Sequence, residues 1–129
     1  MLTSTIYPRI DDLGPAGHVH NTVLPSWFQQ ARGALLAEFF KPNALPLMVK
    51  EYTVTFHREI VMSPPITIQI QVQNVGNSSF TLHEQAFQDG RLSAESTVVY
   101  INVGPDHRPA PIPPAQREFL ATHQVSMAE

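Results

Sequence analysis

The chain has 129 residues, 43% of them hydrophobic, which suits one domain with a core of its own. The formal net charge is −3 and like charges do not cluster, so we expect neither a nucleic acid nor an anionic membrane as a partner. The absence of cysteine excludes disulfides and thiolate chemistry. The sequence shows neither the basic and then apolar pattern of a secretion signal nor an apolar stretch long enough to span a membrane. We therefore expect a cytoplasmic location.

The first third of the chain predicts a short strand, a loop and one long helix. Residues 4–10 suit a strand, and the aspartates, glycines and prolines that follow predict a loop. From Ser26, which we expect to be the N-cap, apolar residues recur at steps of three and four as far as Glu38 and Phe39. Residues 41–43, Lys-Pro-Asn, indicate the end of this helix.

The middle of the chain predicts four strands, because apolar and polar residues alternate there. The predicted strands cover residues 52–56, 66–72, 79–87 and 92–103. Asp89 and Gly90 are a strong signal for a tight hairpin turn between the last two. We interpret the four strands as an antiparallel meander, in which the isoleucines of 66–72 face the helix and the glutamines between them face solvent.

The predicted elements combine into an α+β domain of residues 1–103, with one helix on one face of a five-stranded sheet. Residues 104–129 form a proline-rich tail, in which 115–123 could add a short helix. A single helix leaves the second face or an edge of the sheet uncovered, and long open edges invite pairing. We therefore expect an oligomer.

The segment IDDLGPAGHVHNTVLPSWFQQAR, between the first strand and the helix, resembles the hotdog-fold acyl-CoA thioesterases of the 4-hydroxybenzoyl-CoA thioesterase type. The residues that match the family's D-x-D-x-x-G-H-V-x-N motif are Asp12, Gly17, His18, Val19 and Asn21. The resemblance implies a hotdog fold, an antiparallel sheet wrapped around one long central helix. It also implies hydrolysis of an acyl-CoA or acyl-carrier thioester at a subunit interface of a homodimer or homotetramer, without a cofactor.

One departure from the motif affects the catalytic prediction. The family's catalytic carboxylate is the second Asp of D-x-D, and that position is Gly14 in this chain. Asp12 lies two residues earlier, about 6.6 Å along an extended chain. A shifted loop could bring Asp11 or Asp12 forward, because Gly14 is conformationally free and Pro15 fixes a turn. The alternative is a hotdog protein that binds an acyl thioester with little turnover.

Three residues are candidates for catalysis. His18 suits a base near neutral pH, Asp12 suits the same task, and Asn21 with nearby backbone N–H groups suits the developing oxyanion. Loop packing and loop-closing hydrogen bonds are the alternative roles of His18 and Asn21. These histidines and aspartates make a weak ligand set, so we expect no metal. No G-x-S-x-G elbow, P-loop or Rossmann motif occurs, which disfavours a serine hydrolase or a nucleotide-driven enzyme.

The resemblance also implies residues that contact the substrate. These candidates are Asp11, Gly17, Val19, Trp27, His57, Arg58 and Ser79. Core packing is the alternative for Trp27, since an aromatic stripe at helical spacing usually lies in the core. Solvated strand positions are the alternative for the last three.

Overall fold

Five strands and two α-helices make up the part of the chain that the computed structural model describes, residues 2–37 and 47–124. In chain order they are β1 (Leu2–Ile6), α1 (Val23–Leu36), β2 (Leu47–Phe56), β3 (Ile66–Val75), β4 (Ser79–Gln88), β5 (Arg91–Asn102) and α2 (Pro114–Thr122), with a 3-10 turn at Ile10–Asp12. The strands form one antiparallel sheet in the order β1-β3-β4-β5-β2. The predicted α+β class is confirmed.

The core lies between α1 and the sheet face made by alternate residues of β3, β4 and β5. Ile66, Ile68, Ile70 and Val72 of β3 are all buried, as the alternation predicted. Phe28 and Leu35 of α1 are fully buried in the same cluster. The inward face of β3 is therefore confirmed, and α1 packs against β1 and β3.

Helix α1 differs from the prediction at both ends. It begins at Val23 with Thr22 as N-cap, so the prediction of Ser26 as N-cap is wrong. Leu24 is buried in the core. Pro25 lies in the first turn, where the backbone N–H has no partner within the helix, so the proline removes no helical hydrogen bond. The 14 residues of α1 do not confirm one long central helix. The predicted extension to Glu38 and Phe39, and the end at 41–43, lie outside the described residues.

The predicted four-strand meander is correct only for β3, β4 and β5. Asp89 and Gly90 connect the last two with φ angles of 55° and 73°, which confirms the hairpin turn. β2 pairs with β5 at the far edge and not with β3, so this part of the prediction is wrong. Alternation determines which face of a strand is buried, but not which strand lies beside it.

β2 is an open edge strand with exposed apolar side chains. Met48 is 55% exposed, Val49 51% and Phe56 45%, and Tyr52 is also exposed. Tyr52 and Phe56 pair in register with the buried Val98 and Ala94 of β5, so both lie on the sheet face that α1 covers elsewhere. Contiguous apolar exposure on a long edge is typical of a surface that another chain covers.

The two ends of the chain join the same domain. β1 stops at Ile6, earlier than predicted, before Pro8, which has no N–H to donate to a sheet. The predicted helix near 115–123 is α2, and its Leu120, like Ile112 before it, is buried in the common core. In the described ranges no helix is long and apolar enough to cross a membrane.

A buried ion pair connects α1 to the centre of the sheet. Nε of Arg32 lies 2.5 Å from Oε2 of Glu84, and the two side chains are 4% and 0% exposed. Ser96 donates to the other oxygen of Glu84, and Arg32 donates to the hydroxyl of Tyr100 at 2.7 Å. The guanidinium also lies 5.2 Å from the ring centre of Tyr52 on the edge strand. Burial raises the pKa of Glu84, while Arg32 and Ser96 act in the opposite direction.

Candidate functional site

The loop before α1 is a small, hydrogen-bonded hairpin. Leu13 and Val19 form an isolated antiparallel bridge. Between them Gly14 donates to His18 O at 2.8 Å, and Gly17 donates to Gly14 O at 3.0 Å. The φ of Gly17 is 82°, a left-handed value that favours glycine. The loop is therefore ordered by its own backbone, and it presents His18 at its exposed end.

This loop packs against the segment that follows β2 and forms a groove with it. Val19 donates from its backbone N to Ile60 O at 2.7 Å, which fixes the two segments together. The groove has a volume of about 220 Å³ and is lined by Val19, Asn21, Leu24, Phe56, His57, Arg58, Glu59 and Ile60. The structure therefore brings together four of the predicted site residues, Val19, Asn21, His57 and Arg58. We refer to this groove as the loop groove.

A histidine and a carboxylate meet beside the loop groove. Nδ1 of His18 lies 3.5 Å from Oε2 of Glu59, and the side chains are 47% and 68% exposed. The contact leaves Nε2 of the imidazole available to another group. The sequence prediction did not include Glu59. The run His57-Arg58-Glu59 directly after an alternating strand was the available signal, because functional residues concentrate where chain segments leave a scaffold.

The predicted catalytic residue Asp12 lies away from this groove. Its carboxylate accepts from the backbone N of Arg9 at 2.8 Å, and the side chain is 7% exposed. Asp12 lines a different groove together with Trp27, which is itself 5% exposed, and the neighbouring Asp11 is exposed on the same turn. In this structure Asp12 stabilises the 3-10 turn at the start of the loop.

Gly14, at the family's acid position, faces His20. A Cβ built on Gly14 would lie 3.1 Å from Cε1 of His20, so a side chain there requires the imidazole to move. The φ of Gly14 is not among the left-handed values, and an L-residue can adopt its backbone. Ser79 begins β4 opposite Ile101, whereas the backbone N of Arg58 donates to Ser93 O near the other end of β5. The structure therefore does not bring Ser79 into the loop groove.

His57 lines the loop groove, and its side chain contacts Glu95, which lies on the sheet face opposite the buried Ala94 and Ser96. The Glu95 carboxylate accepts from Nε2 of His57 at 2.6 Å and from Nε2 of His83 at 2.9 Å. Hydrogen bonds from His83 and His57 lower the pKa of Glu95. Among the described residues, no group of three or more His, Cys, Asp or Glu side chains is arranged to hold a metal. The contact between His57 and Glu95 therefore anchors the end of β2, which leads into Arg58 and Glu59.

The N-terminus of α1 follows the loop directly and adjoins both grooves. Val23 and Leu24 donate to the carbonyls of His20 and Asn21, whereas the N–H groups at Asn21 and Thr22 precede the helical hydrogen bonds. Such N–H groups form the positive end of the helix dipole. The exposed side chain of Asn21 lines the loop groove beside them. The loop groove thus lies beside an imidazole–carboxylate pair and is lined by Asn21, whose amide can donate to a developing negative charge, whereas Thr22 and Val23 line the groove that contains Asp12.

Several solved structures similar to this one are named as thioesterases, predicted thioesterases or members of a thioesterase superfamily. A predicted thioesterase from Bacillus stearothermophilus is 27% identical, with a TM-score of 0.89 over 97% of each chain. A thioesterase from Thermus thermophilus, complexed with coenzyme A and Zn, is 23% identical, with a TM-score of 0.84 over 95% of this chain and 93% of that one. A thioesterase superfamily member from Jannaschia is 15% identical, with a TM-score of 0.85 over 96% and 93%. No curated protein matches this sequence.

The five-stranded antiparallel sheet and these likenesses fit the α+β hotdog fold. The family model described as "Thioesterase-like superfamily" matches residues 8–120, which include the loop groove, α1, the strands β2 to β5 and most of α2. The matched range covers most of the chain. This protein therefore belongs to the thioesterase-like superfamily.

Proposed function

We propose that the protein is a thioesterase that hydrolyses an acyl-CoA or acyl-carrier thioester in the loop groove. The observation that carries the proposal is the His18–Glu59 contact beside the groove that Asn21 lines. Family membership supports thioester hydrolysis in general, and the related thioesterase from Thermus thermophilus is complexed with coenzyme A. The narrower 4-hydroxybenzoyl-CoA thioesterase type is part of this proposal.

In the proposed reaction His18 is the general base and Glu59 is a positioning residue. Glu59 holds Nδ1 of the imidazole, and Nε2 accepts a proton from the attacking water. The water oxygen forms a bond to the carbonyl carbon while Asn21 and the N–H groups at the start of α1 donate to the oxyanion. The C–S bond then breaks, and His18 returns the proton to the sulfur. The products are a carboxylic acid and a thiol.

The predicted catalytic residue Asp12 and the predicted substrate contacts divide between the two grooves in this proposal. Val19, His57 and Arg58 form walls of the loop groove, while Gly17 shapes the turn that presents His18. Asp12 remains the alternative general base. It could act only if substrate binding shifted the 3-10 turn. Trp27 and Asp11 belong to that competing arrangement. The substrate contact of Ser79 stays a prediction, because Ser79 does not line the loop groove.

We propose further that the working form is a homodimer or larger, with the edge of β2 as an interface. Phe56 is at once a wall of the loop groove and one of the exposed apolar residues of β2. A second chain that covers this strand would therefore adjoin the groove. Light scattering at micromolar concentration should give at least twice the 14.4 kDa chain mass. A clean monomer would contradict the interface.

A protein that binds acyl thioesters with little turnover is the second candidate. Gly14 stands where the resembling family has its catalytic Asp, and the Asp12 carboxylate is occupied by Arg9 N. On this alternative the protein binds acyl-CoA but releases no thiol above the uncatalysed rate. Gly14→Asp would then create activity, and His18→Ala would change nothing.

Release of free thiol from a panel of aliphatic and aromatic acyl-CoA substrates tests the proposal. We expect turnover with the parent protein and a loss of about 10²- to 10⁴-fold in His18→Ala, because a general base contributes that much. His20→Ala is the matched control, since this exposed histidine lies in the same loop. Full activity in His18→Ala would contradict the assigned base, and no thiol release from any substrate would contradict the proposed function.

A further inference from the structure

A hydrogen-bonded cluster connects three strands on the outer face of the sheet, opposite the core. The Glu95 carboxylate of β5 accepts from His57, directly after β2, and from His83 of β4. Glu95 pairs in register with Thr55 and Gln85, so each histidine lies two residues along its strand, in opposite directions. Such diagonal neighbours are within reach of long side chains. We refer to His57, Glu95 and His83 as the histidine bridge, which runs from the central strand to the end of β2.

The end of β2 depends on the histidine bridge because β2 is an edge strand. Its neighbour in the sheet is β5 alone, and their register pairs end at Phe56. Beyond Phe56 the backbone N–H groups of His57 and Arg58 share one acceptor, Ser93 O, at 2.8 and 3.1 Å. The regular ladder is therefore finished at this point, and the 2.6 Å contact with Glu95 adds a side-chain link between His57 and β5.

Glu59 lies between two fixed points of the chain. His57, two residues earlier, is held by the histidine bridge, and Ile60 O, directly after Glu59, accepts from Val19 N at 2.7 Å. The Glu59 side chain is 68% exposed and lies 3.5 Å from His18. An exposed glutamate has many rotamers to lose, so a fixed backbone favours this contact. The bridge thus supplies one of the two fixed points that direct Glu59 toward His18.

We propose that the histidine bridge positions the proposed catalytic pair, with Glu95 as a positioning residue that acts on Glu59 through the end of β2. The inference rests on the proposed function, in which Glu59 orients His18. Glu95 and His83 do not line the loop groove. Their effect is therefore on the orientation of the base, which determines kcat, and not on substrate binding.

Replacement of Glu95 by glutamine tests the positioning role. Glutamine has the size of glutamate but offers one acceptor oxygen instead of two, so one imidazole loses its partner. We expect Glu95→Gln to lower kcat for thioester hydrolysis about tenfold with KM unchanged. Glu95→Asp keeps the charge and should recover part of the rate. Unchanged kcat in Glu95→Gln, or a rise in KM alone, would overturn the proposal.

A control and a double-mutant cycle separate positioning from a general structural defect. Glu118→Gln makes the same chemical change on the exposed side of α2 and should keep the parental kcat. If Glu95 acts through Glu59, the double variant Glu95→Gln, Glu59→Gln should match Glu59→Gln alone. Independent defects would multiply instead, giving about a tenfold further loss, and that result would overturn the proposal. Thermal midpoints well above the assay temperature establish that each variant is folded.

Failure of this inference and failure of the proposed function give different results. If the parent hydrolyses no thioester, the proposed function fails, and NMR still tests the histidine bridge. We expect a nuclear Overhauser contact between His18 and Glu59 that weakens in Glu95→Gln and persists in Glu118→Gln. A contact that is absent from the parent, or equally strong in Glu95→Gln, overturns the positioning role. If hydrolysis proceeds with unchanged kcat in Glu95→Gln, the function stands and the bridge assignment fails.

Discussion

Two acid–base pairs of this protein have opposite surroundings. Arg32 and Glu84 are buried beneath α1 and surrounded by hydroxyl groups, whereas His18 and Glu59 are exposed at a groove. A buried pair must keep both charges matched, because a single unpaired charge in the core is costly. An exposed pair remains solvated, so the loss of one partner does not leave a buried charge unpaired. We infer that the first pair maintains the structure, and we assign the second to the proposed chemistry.

Removal of the buried carboxylate should have the largest effect on stability. Glu84→Ala leaves Arg32 without its counter-ion, and we expect the free energy of unfolding to fall by about 3 to 5 kcal/mol. Urea denaturation measures the change, with Glu118→Ala on the exposed side of α2 as the control at under about 0.5 kcal/mol. Arg32→Met combined with Glu84→Leu should recover part of the loss. Equal midpoints for Glu84→Ala and the parent would show that the pair is dispensable.

The exposed pair should show the reverse behaviour, a loss of rate without a loss of stability. We expect Glu59→Gln to lower kcat by about 10²-fold, because glutamine keeps the size of the side chain but removes the charge that orients His18. Glu59→Asp should restore part of the rate and act as the conservative rescue. The denaturation midpoint should match that of the parent. A fall in stability with unchanged kcat would reverse the roles that we assign to the two pairs.

A third carboxylate, Glu95, is intermediate between these two cases. We expect its removal to have a small, pH-dependent effect on stability. The lowered pKa of Glu95 means that its stabilising contribution is present above the ordinary glutamate pKa and is lost as pH falls through the lowered value. Glu95→Gln should therefore be less stable than the parent near neutral pH, by under about 1 kcal/mol, and the two should converge in acid. A constant difference across the whole pH range would contradict the assigned role of the His57 and His83 contacts.

Local patterns in the sequence predicted those parts of the fold that local physics determines. Alternation identified the buried face of β3, and Asp89-Gly90 identified the hairpin turn between β4 and β5, since both depend on neighbouring residues. The place of β2 beside β5 depends on a pairing between distant segments, which alternation does not encode. The start of α1 at Val23 was missed because burial of Leu24 outweighs the capping preference of Ser26.

The candidate site was predictable in part for the same reason. The motif placed His18 and Asn21 in one loop, and the structure has Asn21 in the loop groove and His18 beside it. Glu59 was missed because its relevance comes from a contact with His18 across the gap between two segments. The Asp12 side chain is oriented by the hydrogen bond that it accepts from the backbone N–H of Arg9. Residue spacing does not reveal which backbone N–H groups require such a partner.

The exposed position of Phe56 has a consequence for how the protein responds to dilution. In the proposed dimer this aromatic ring serves the substrate groove of its own chain and the contact with the second chain. Association and substrate binding are then thermodynamically linked, so substrate favours the assembled form and assembly improves substrate affinity. Turnover per chain would be constant at high protein concentration and would fall once the concentration drops below the dissociation constant of the dimer. The amount of protein in the cell would itself set the specific activity.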